Sequence, residues 1–452
     1  MLTKEDNEAI TQVGPGTLMG SFMREYWVPA MLSSELAGAD SDPLRVRLLG
    51  EDLIGFRDSE GRPGLIADLC PHRGTSLFLG RNEEGGLRCV YHGWKFDVTG
   101  ACVDMPNEPP ESNFKSRIKA TAYPCTEAGG LIWTYMGTRE VLPPLPGLEV
   151  LALPDDEVRV SAFMRPCNWL QALEGDIDTV HAAILHGGHR EPEWYPEGSF
   201  TYYELMQRAP HFESVDAPYG TLYGAYRDAG PGREYWRIGQ FLFPFWTNPA
   251  PGVLGHKVGN GAWVPMDDAH TMHFSISKIG GGVVPETGEA PRQDSTLLPN
   301  TTDWYGRFRT VYGMENDFMI DREDQRELGS YTGIPFHSPG PEDAAVTITM
   351  GSTLNRTVEH LGTSDLMIIR TRQRLLEAAQ AFADHKAQPP GLDEPGVYGV
   401  RAGGAFIPTG ENWLEYTKDL MAPFTEHPEI DPELFAAVTT VKAVRHKRTR
   451  PL

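Results

Sequence analysis

The stretch CPHRGTSLFLGRNEEGGLRCVYHGWKF, residues 70–96, sets Cys70, His72, Cys89 and His92 as C-x-H, sixteen residues, then C-x-x-H. Thiolates and imidazoles in such pairs hold zinc or an iron–sulfur cluster, since both accept soft sulfur and borderline nitrogen. A lone C-x-H would mean little. Here two pairs lie a β-hairpin's length apart, a proline sits between the first two ligands, and His92 runs on into Gly93-Trp94 with Phe96 and Asp97. Two such loops can close as pincers on one inorganic unit. A zinc knot leaves that aromatic flank without a role.

Outward from this stretch the pattern is that of short strands. PLRVRLLGEDLIGFRDSEGRPGLI, 43–66, alternates apolar runs with Gly, Asp and Pro turns, and SEGRPG predicts a hairpin tip. Strand character continues to GGLIWTYMG at 129–137, and the Pro-rich stretch 141–157 reads as a linker. RPCNWLQALEGDIDTVHAAILHGG, 165–188, predicts a helix with Gly187-Gly188 as its stop. Residues 200–276 return to strands, 280–300 form a Gly/Pro-rich excursion read as a passive loop, and helical patterns resume at 303–328 and after Thr363 or Ser364.

The chain has 452 residues, more than one core usually fills, so two domains are expected. Its 62 acidic against 40 basic residues give a net charge of -22, which argues against nucleic acid or an anionic membrane as main partner. Only the C-terminal VKAVRHKRTRPL is basic, read as a solvated tail. The first thirty residues, with Lys4, Glu5, Asp6 and Glu8, lack the look of a signal peptide, and no long apolar run occurs. A soluble cytoplasmic protein is the expectation. Five cysteines, an odd number, disfavour a disulfide framework.

The 70–97 pattern resembles the Rieske [2Fe-2S] motif. In that family one iron takes two cysteines, implied here to be Cys70 and Cys89, and the other takes two histidines, His72 and His92. Imidazoles in place of thiolates raise the cluster's potential above that of a plant-type ferredoxin. Such a domain needs about a hundred residues. The remainder contains GDIDTVHAAILHGG, with Asp178, His181 and His186 as D-x-x-H-x-x-x-x-H. On an unbroken helix Asp178 and His181 share a face, and His186 rejoins it only if the helix loosens towards Gly187. Two histidines and a carboxylate make the facial triad of non-haem iron(II) oxygenases. The whole chain resembles the α (oxygenase) subunit of a Rieske non-haem iron aromatic ring-hydroxylating oxygenase, and CNWLQALEGDIDTVHAAILH resembles the phthalate dioxygenase branch.

The resemblance implies an α+β fold: a segment 1–40 packing with the catalytic domain, a small all-β Rieske domain at 41–140, the linker 141–157, and a larger α+β domain at 158–452. That larger domain would be an antiparallel sheet with helices in a helix-grip-like arrangement. Two stretches compete for the carboxylate ligand. One carries Asp317, Asp321 and Asp324, the other Glu342, Asp343, Glu359 and Asp365. The second resembles the segment in which this branch places its ligand, so Asp343 is expected to join His181 and His186 on a mononuclear Fe(II), with Asp321 the runner-up. Asp178 is implied to bridge His181 to a cluster histidine, His92, of another subunit, hence a trimer or stacked trimers. Electrons would come from a separate NADH-dependent flavin and iron–sulfur reductase; no Gly-rich dinucleotide fingerprint occurs here.

A carboxylated aromatic is the expected substrate, taken with O2 to a cis-dihydrodiol. O-demethylation of a methoxylated aromatic acid is the alternative, and an electron carrier without a working second iron is the alternative class. The pocket is expected from 200–265, where Tyr202, Phe212, Tyr219, Tyr223, Tyr226, Phe241, Phe243, Phe245, Trp246 and Trp263 could stack a ring. Arg208, Arg227, Arg233 and Arg237 lie among them, and of these Arg208 and Arg237 are the candidate carboxylate anchors.

Overall fold

The strand signals at 43–66 form Leu44–Leu48, Glu51–Arg57 and Pro63–Ala67, antiparallel neighbours joined at the far edge by Ala122–Tyr123. SEGRPG is the hairpin tip: Arg57 pairs with Pro63, and Asp58 Oδ1 accepts from the amides of Glu60 and Arg62. A second sheet, Arg81–Glu83, Gly86–Arg88, Lys95–Phe96 and Cys102–Asp104, completes a small β domain. Ile54, Phe56, Ile66, Leu77, Leu87 and Phe96 are fully buried in its core, and Cys70 and Cys89 belong to the same cluster. This computed structural model describes residues 2–195, 197, 199–250, 252–279, 297–327, 330–335 and 339–425. The 280–300 excursion up to residue 296 and the basic C-terminal strip lie outside the described residues.

The N-terminal segment does two things. Its helix Leu18–Arg24 sets Phe22 against Phe243 and Phe382 of the large domain, whereas its strand Trp27–Leu32 pairs with Leu131–Tyr135, beside Cys125–Ala128. One core runs on from there into the large domain, with Trp133 stacked on Trp246 at 5.6 Å. The Pro-rich linker is held in place: Pro143 accepts from the Trp27 indole, and Glu149 makes a buried ion pair with Arg401.

The large domain is built on an antiparallel sheet of eight strands: β1 (Val158–Arg165), β2 (His211–Ala217), β3 (Gly220–Asp228), β4 (Arg233–Leu242), β5 (Trp246–Asn248), β6 (Gly259–Pro265), β7 (Thr271–Lys278) and β8 (Gly403–Pro408). Their order is β1-β7-β6-β5-β4-β3-β2, with β8 pairing the outer half of β4. Helices α1 (Trp169–Ile177), α2 (Phe200–Met206), α3 (Pro339–Thr349) and α4 (Leu366–Ala383) flank it. Among the described residues no helix is long and apolar enough to cross a membrane.

Three expected helices change. The single helix at 165–188 is two pieces: α1, capped by the Asn168 side chain, stops at Asp178, whose backbone is extended, and the chain rewinds as a wide π-helical turn over Ala182–His186. Among the described residues of 303–328 only Arg322–Arg326 is α-helical. The backbone turns left-handed at Asp317, Phe318 and Met319, which a right-handed helix cannot contain, and there Phe318 is buried between two exposed neighbours. Helix α4 starts at Leu366 with Asp365 at its cap, accepting from Gly362 N–H, so its cap falls one or two residues beyond the expected Thr363 or Ser364. Helix α2 is an addition to a stretch expected to be strand throughout.

Candidate metal centres and substrate cavity

The two loops of the 70–96 stretch are built alike. Gly74 N–H donates to Cys70 O and Gly93 N–H to Cys89 O, both at 2.9 Å, and both glycines hold positive φ, where a side chain would be strained. The sulfurs face inward, each cysteine 2% exposed, and the imidazoles are half-buried at the rim. The His72 and His92 rings stand 4.4 Å apart, and His72 stacks on Trp94 at 4.3 Å, itself fixed by its indole N–H to Asn107 Oδ1.

A metal cluster fits these residues. His92 Nδ1 is buried and reaches no hydrogen-bond partner among the described residues, which is costly for a polar atom unless a metal takes its lone pair. Desolvation, then the facing His72, holds His92 below its ordinary range and so in the neutral, ligating form. Burial and the neighbouring Cys89 push the Cys70 thiol up to about 11, so a bound cation would be what draws its proton off.

Across the large domain, His181, His186 and Asp343 bring one ligand atom each within 4.8 Å of one another, the only such group among the described residues. The break at Asp178 and the π-helical turn make this possible. The turn adds the extra residue per winding that swings His186 back beside His181, ring centroids 5.2 Å apart. Both Nε2 atoms converge on Asp343 Oδ1, at 3.4 Å from His181 and 3.1 Å from His186. Each outer nitrogen is held by its own carboxylate: His181 Nδ1 lies 3.5 Å from Asp178 Oδ2, and His186 Nδ1 lies 2.8 Å from Glu342 Oε2. Carboxylates behind both imidazoles fix the tautomer that leaves Nε2 for a metal.

The electrostatics favour a cation. Burial alone would lower His181, but Asp178 and Asp343 raise it to about 10, and Asp343 is held well below the usual carboxylate range against its own burial by the two histidines. A divalent ion between these groups replaces the protons they otherwise retain. Asp321 is no part of this: it is exposed and caps Arg322–Arg326, accepting from the amides of Glu323 and Asp324.

A cavity of about 410 Å³ opens onto the same three side chains, its wall including Asp178, Tyr223, Arg237, Glu204 and Leu205. Of the ten aromatic residues expected to line it only Tyr223 does. Phe241, Phe243, Phe245 and Trp246 are fully buried core, where sheet packing needs their bulk. Of the two arginines, Arg237 is on the wall, paired with Glu204, whereas Arg208 is not among the lining residues and donates to Gly188 O, bracing the turn that carries His186. Glu342 was weighed only as a metal ligand and not as the partner behind His186, and Glu204 was missed. The acidic pair Glu342-Asp343 was a visible signal; Glu204 left none, because its place depends on α2 packing over the sheet so that it meets Arg237.

Residues 26–124 match the Rieske [2Fe-2S] domain family and residues 134–433 the family described as LigXa C-terminal domain like. The chain is similar to the 3-chlorobenzoate-3,4-dioxygenase oxygenase subunit of Comamonas testosteroni, 43% identical with 91% of this chain and 97% of that one covered. It is also similar to the phthalate 4,5-dioxygenase oxygenase subunit of Pseudomonas putida (36%; 84% and 87% covered). A third relative is the 5,5'-dehydrodivanillate O-demethylase oxygenase subunit of Sphingobium sp. strain NBRC 103272 / SYK-6 (40%; 83% and 80%). In fold it resembles NdmA of Pseudomonas putida CBB5, in a variant solved with theobromine, at TM-score 0.55 and 18% identity over 87% of this chain and 99% of that one. It likewise resembles the terminal oxygenase of carbazole 1,9a-dioxygenase from Nocardioides aromaticivorans IC177, at TM-score 0.51 and 18% identity over 83% and 97%. The chain belongs to the Rieske non-haem iron aromatic ring-hydroxylating oxygenases, as an oxygenase α subunit of the phthalate dioxygenase-like branch, with a [2Fe-2S] cluster and a mononuclear iron as its cofactors.

Proposed function

We propose that this subunit cis-dihydroxylates a carboxylated aromatic ring with O2, fed by a separate NADH-dependent flavin and iron–sulfur reductase, in the cytoplasm. The observation that carries the reading is Arg237: a buried guanidinium on the wall of a cavity that also presents His181, His186 and Asp343. A guanidinium so placed binds a carboxylate through two parallel N–H donors and orients the attached ring. The names of the chlorobenzoate and phthalate relatives support the substrate class.

Cys70, Cys89, His72 and His92 would hold the cluster, and His181, His186 and Asp343 the iron. When bound, the cluster supplies single electrons and the iron activates O2. The protein does the rest. The cavity and Arg237 orient the ring so that one edge faces the metal-binding side chains. Asp178 accepts from the Val180 amide and faces His181, which leaves its outer side to meet His92 of a neighbouring subunit and so join the two centres in a trimer or stacked trimers. O-demethylation is the second reading, supported by the 40% identity to an O-demethylase subunit.

The test is turnover with NADH and a matching reductase on chlorinated, methoxylated and dicarboxylated benzoates, with products identified by mass. Gain of two hydroxyl groups on the ring is the expected result. Loss of a methyl as formaldehyde supports the second reading, and no product from any carboxylated aromatic contradicts both.

A further inference from the structure

Arg237 does not face the cavity alone. Its guanidinium pairs with Glu204 of α2, and both are buried, at 6% and 4% exposure. The register of β3 on β4 brings up a second arginine: Ala225 stands opposite Arg237 and Arg227 opposite Tyr235. Side chains alternate along a strand, so Arg227 and Arg237 are diagonal neighbours on the face that presents Tyr223 to the cavity. Arg227 is fully buried. Its Nε donates to Gln207 O at the end of α2, and neither Nη1 nor Nη2 reaches a partner among the described residues.

Burial pushes both guanidinium groups down to about 10, far enough above neutrality that both stay charged. A buried cation lacking its anion is strongly destabilising. The other acids of the wall are committed elsewhere: Asp178 to His181, Asp343 to both histidines, and Asp176 to Thr247 and Trp263. Arg190 of the wall is exposed, and the half-buried Lys257 has Asp176 as its counter-charge, so the buried Arg227 and Arg237 share one anion, Glu204.

We propose that Arg237 and Glu204 on the wall, with Arg227 buried behind it, count substrate charge, the cavity accepting one carboxylate and rejecting a second, with Glu204 the specificity-determining residue. This rests on the reading of the substrate as a carboxylated aromatic and narrows it to a monocarboxylate. One carboxylate brings the group to neutrality. A second meets the Glu204 carboxylate in a site where water does not screen it, and like charges so placed cannot both stay ionised without cost.

The experiment measures binding of benzoate, isophthalate and benzamide to the holoenzyme by titration calorimetry. The wild type should bind benzoate at least about tenfold more tightly than isophthalate, a difference of about 1.4 kcal/mol. Glu204→Gln should move that ratio about tenfold or more towards isophthalate, and Arg227→Met should weaken benzoate by a similar factor while leaving benzamide within about twofold. The wild-type ratio needs no variant. Isophthalate bound as tightly as benzoate, or a ratio unmoved by Glu204→Gln, overturns the inference alone. Benzamide bound with benzoate excluded overturns the carboxylated-ring reading and this inference together.

Discussion

Replacing Glu342 by Gln tests whether the carboxylate behind His186 acts on the iron site. Glu342 accepts from His186 Nδ1 at 2.8 Å and from Thr332 Oγ1 at 2.6 Å, and its side chain is 14% exposed, so solvent offers little replacement. The glutamine amide can keep the shape, its oxygen accepting from His186 and its nitrogen donating to Thr332. What is lost is the charge. A hydrogen bond to a charged group is worth about 1.5–3 kcal/mol and a neutral one about 0.5–1.5, a difference of about 1–1.5 kcal/mol, or about tenfold in Fe(II) affinity. That sits at the lower end of the about 10–100-fold usual for outer contacts of metal ligands, and Glu342→Leu, which orphans His186 Nδ1, should reach the upper end. The assay is competition for Fe(II) against a chelator of known affinity, with the cluster's visible absorbance as the check that the other domain is intact. An affinity within about twofold of wild type for both variants would refute the reasoning.

Other expectations follow from single contacts. Trp94→Leu removes the stacking surface of His72 and the bond to Asn107, about 1 kcal/mol of ring contact beyond the hydrogen bond, so cluster absorbance should disappear at lower urea concentration. Gly187→Ala places a methyl group 2.5 Å from the Ala183 carbonyl, which forces the π-helical turn apart; iron content should fall while the cluster spectrum stays. Glu174 is buried between Arg356 and Arg372, and Glu174→Gln leaves the fully buried Arg356 without its anion, Arg372 keeping Glu359, costing about 3 kcal/mol in denaturant unfolding. Burial raises Glu174, but the two arginines outweigh it and hold its folded-state value below the unfolded one. Its contribution is therefore complete above about pH 4.3 and lost as pH falls further, a loss Glu174→Gln should not show.

The candidate cluster ligands were legible because all four lie within 23 consecutive residues whose turns are set locally by Gly74 and Gly93. Helix α1 was legible in its apolar spacing, but its end was not. Asp178 leaves the helix because its carboxylate caps the Val180 amide and faces His181, a competition between side chain and backbone that periodicity does not register. Asp343 was reached through a resemblance, since nothing within its own segment shows that the chain returns 157 residues after His186 to complete the triad. Arg208 and Arg237 looked equivalent in sequence. Strand register separated them, sending Arg237 to the cavity face of β4 and leaving Arg208 beyond α2 against Gly188. The aromatic residues misled for a related reason: large apolar side chains mark burial, and most of these bury against the sheet rather than against a ligand.

The central claim is that His181, His186 and Asp343 hold a mononuclear iron distinct from the cluster. Iron analysis of wild type and Asp343→Ala, each with its visible spectrum, tests it most directly. The account predicts about three irons per chain in the wild type and about two in the variant, with the cluster spectrum unchanged in both. About two irons in each, or a cluster lost along with Asp343, would contradict it.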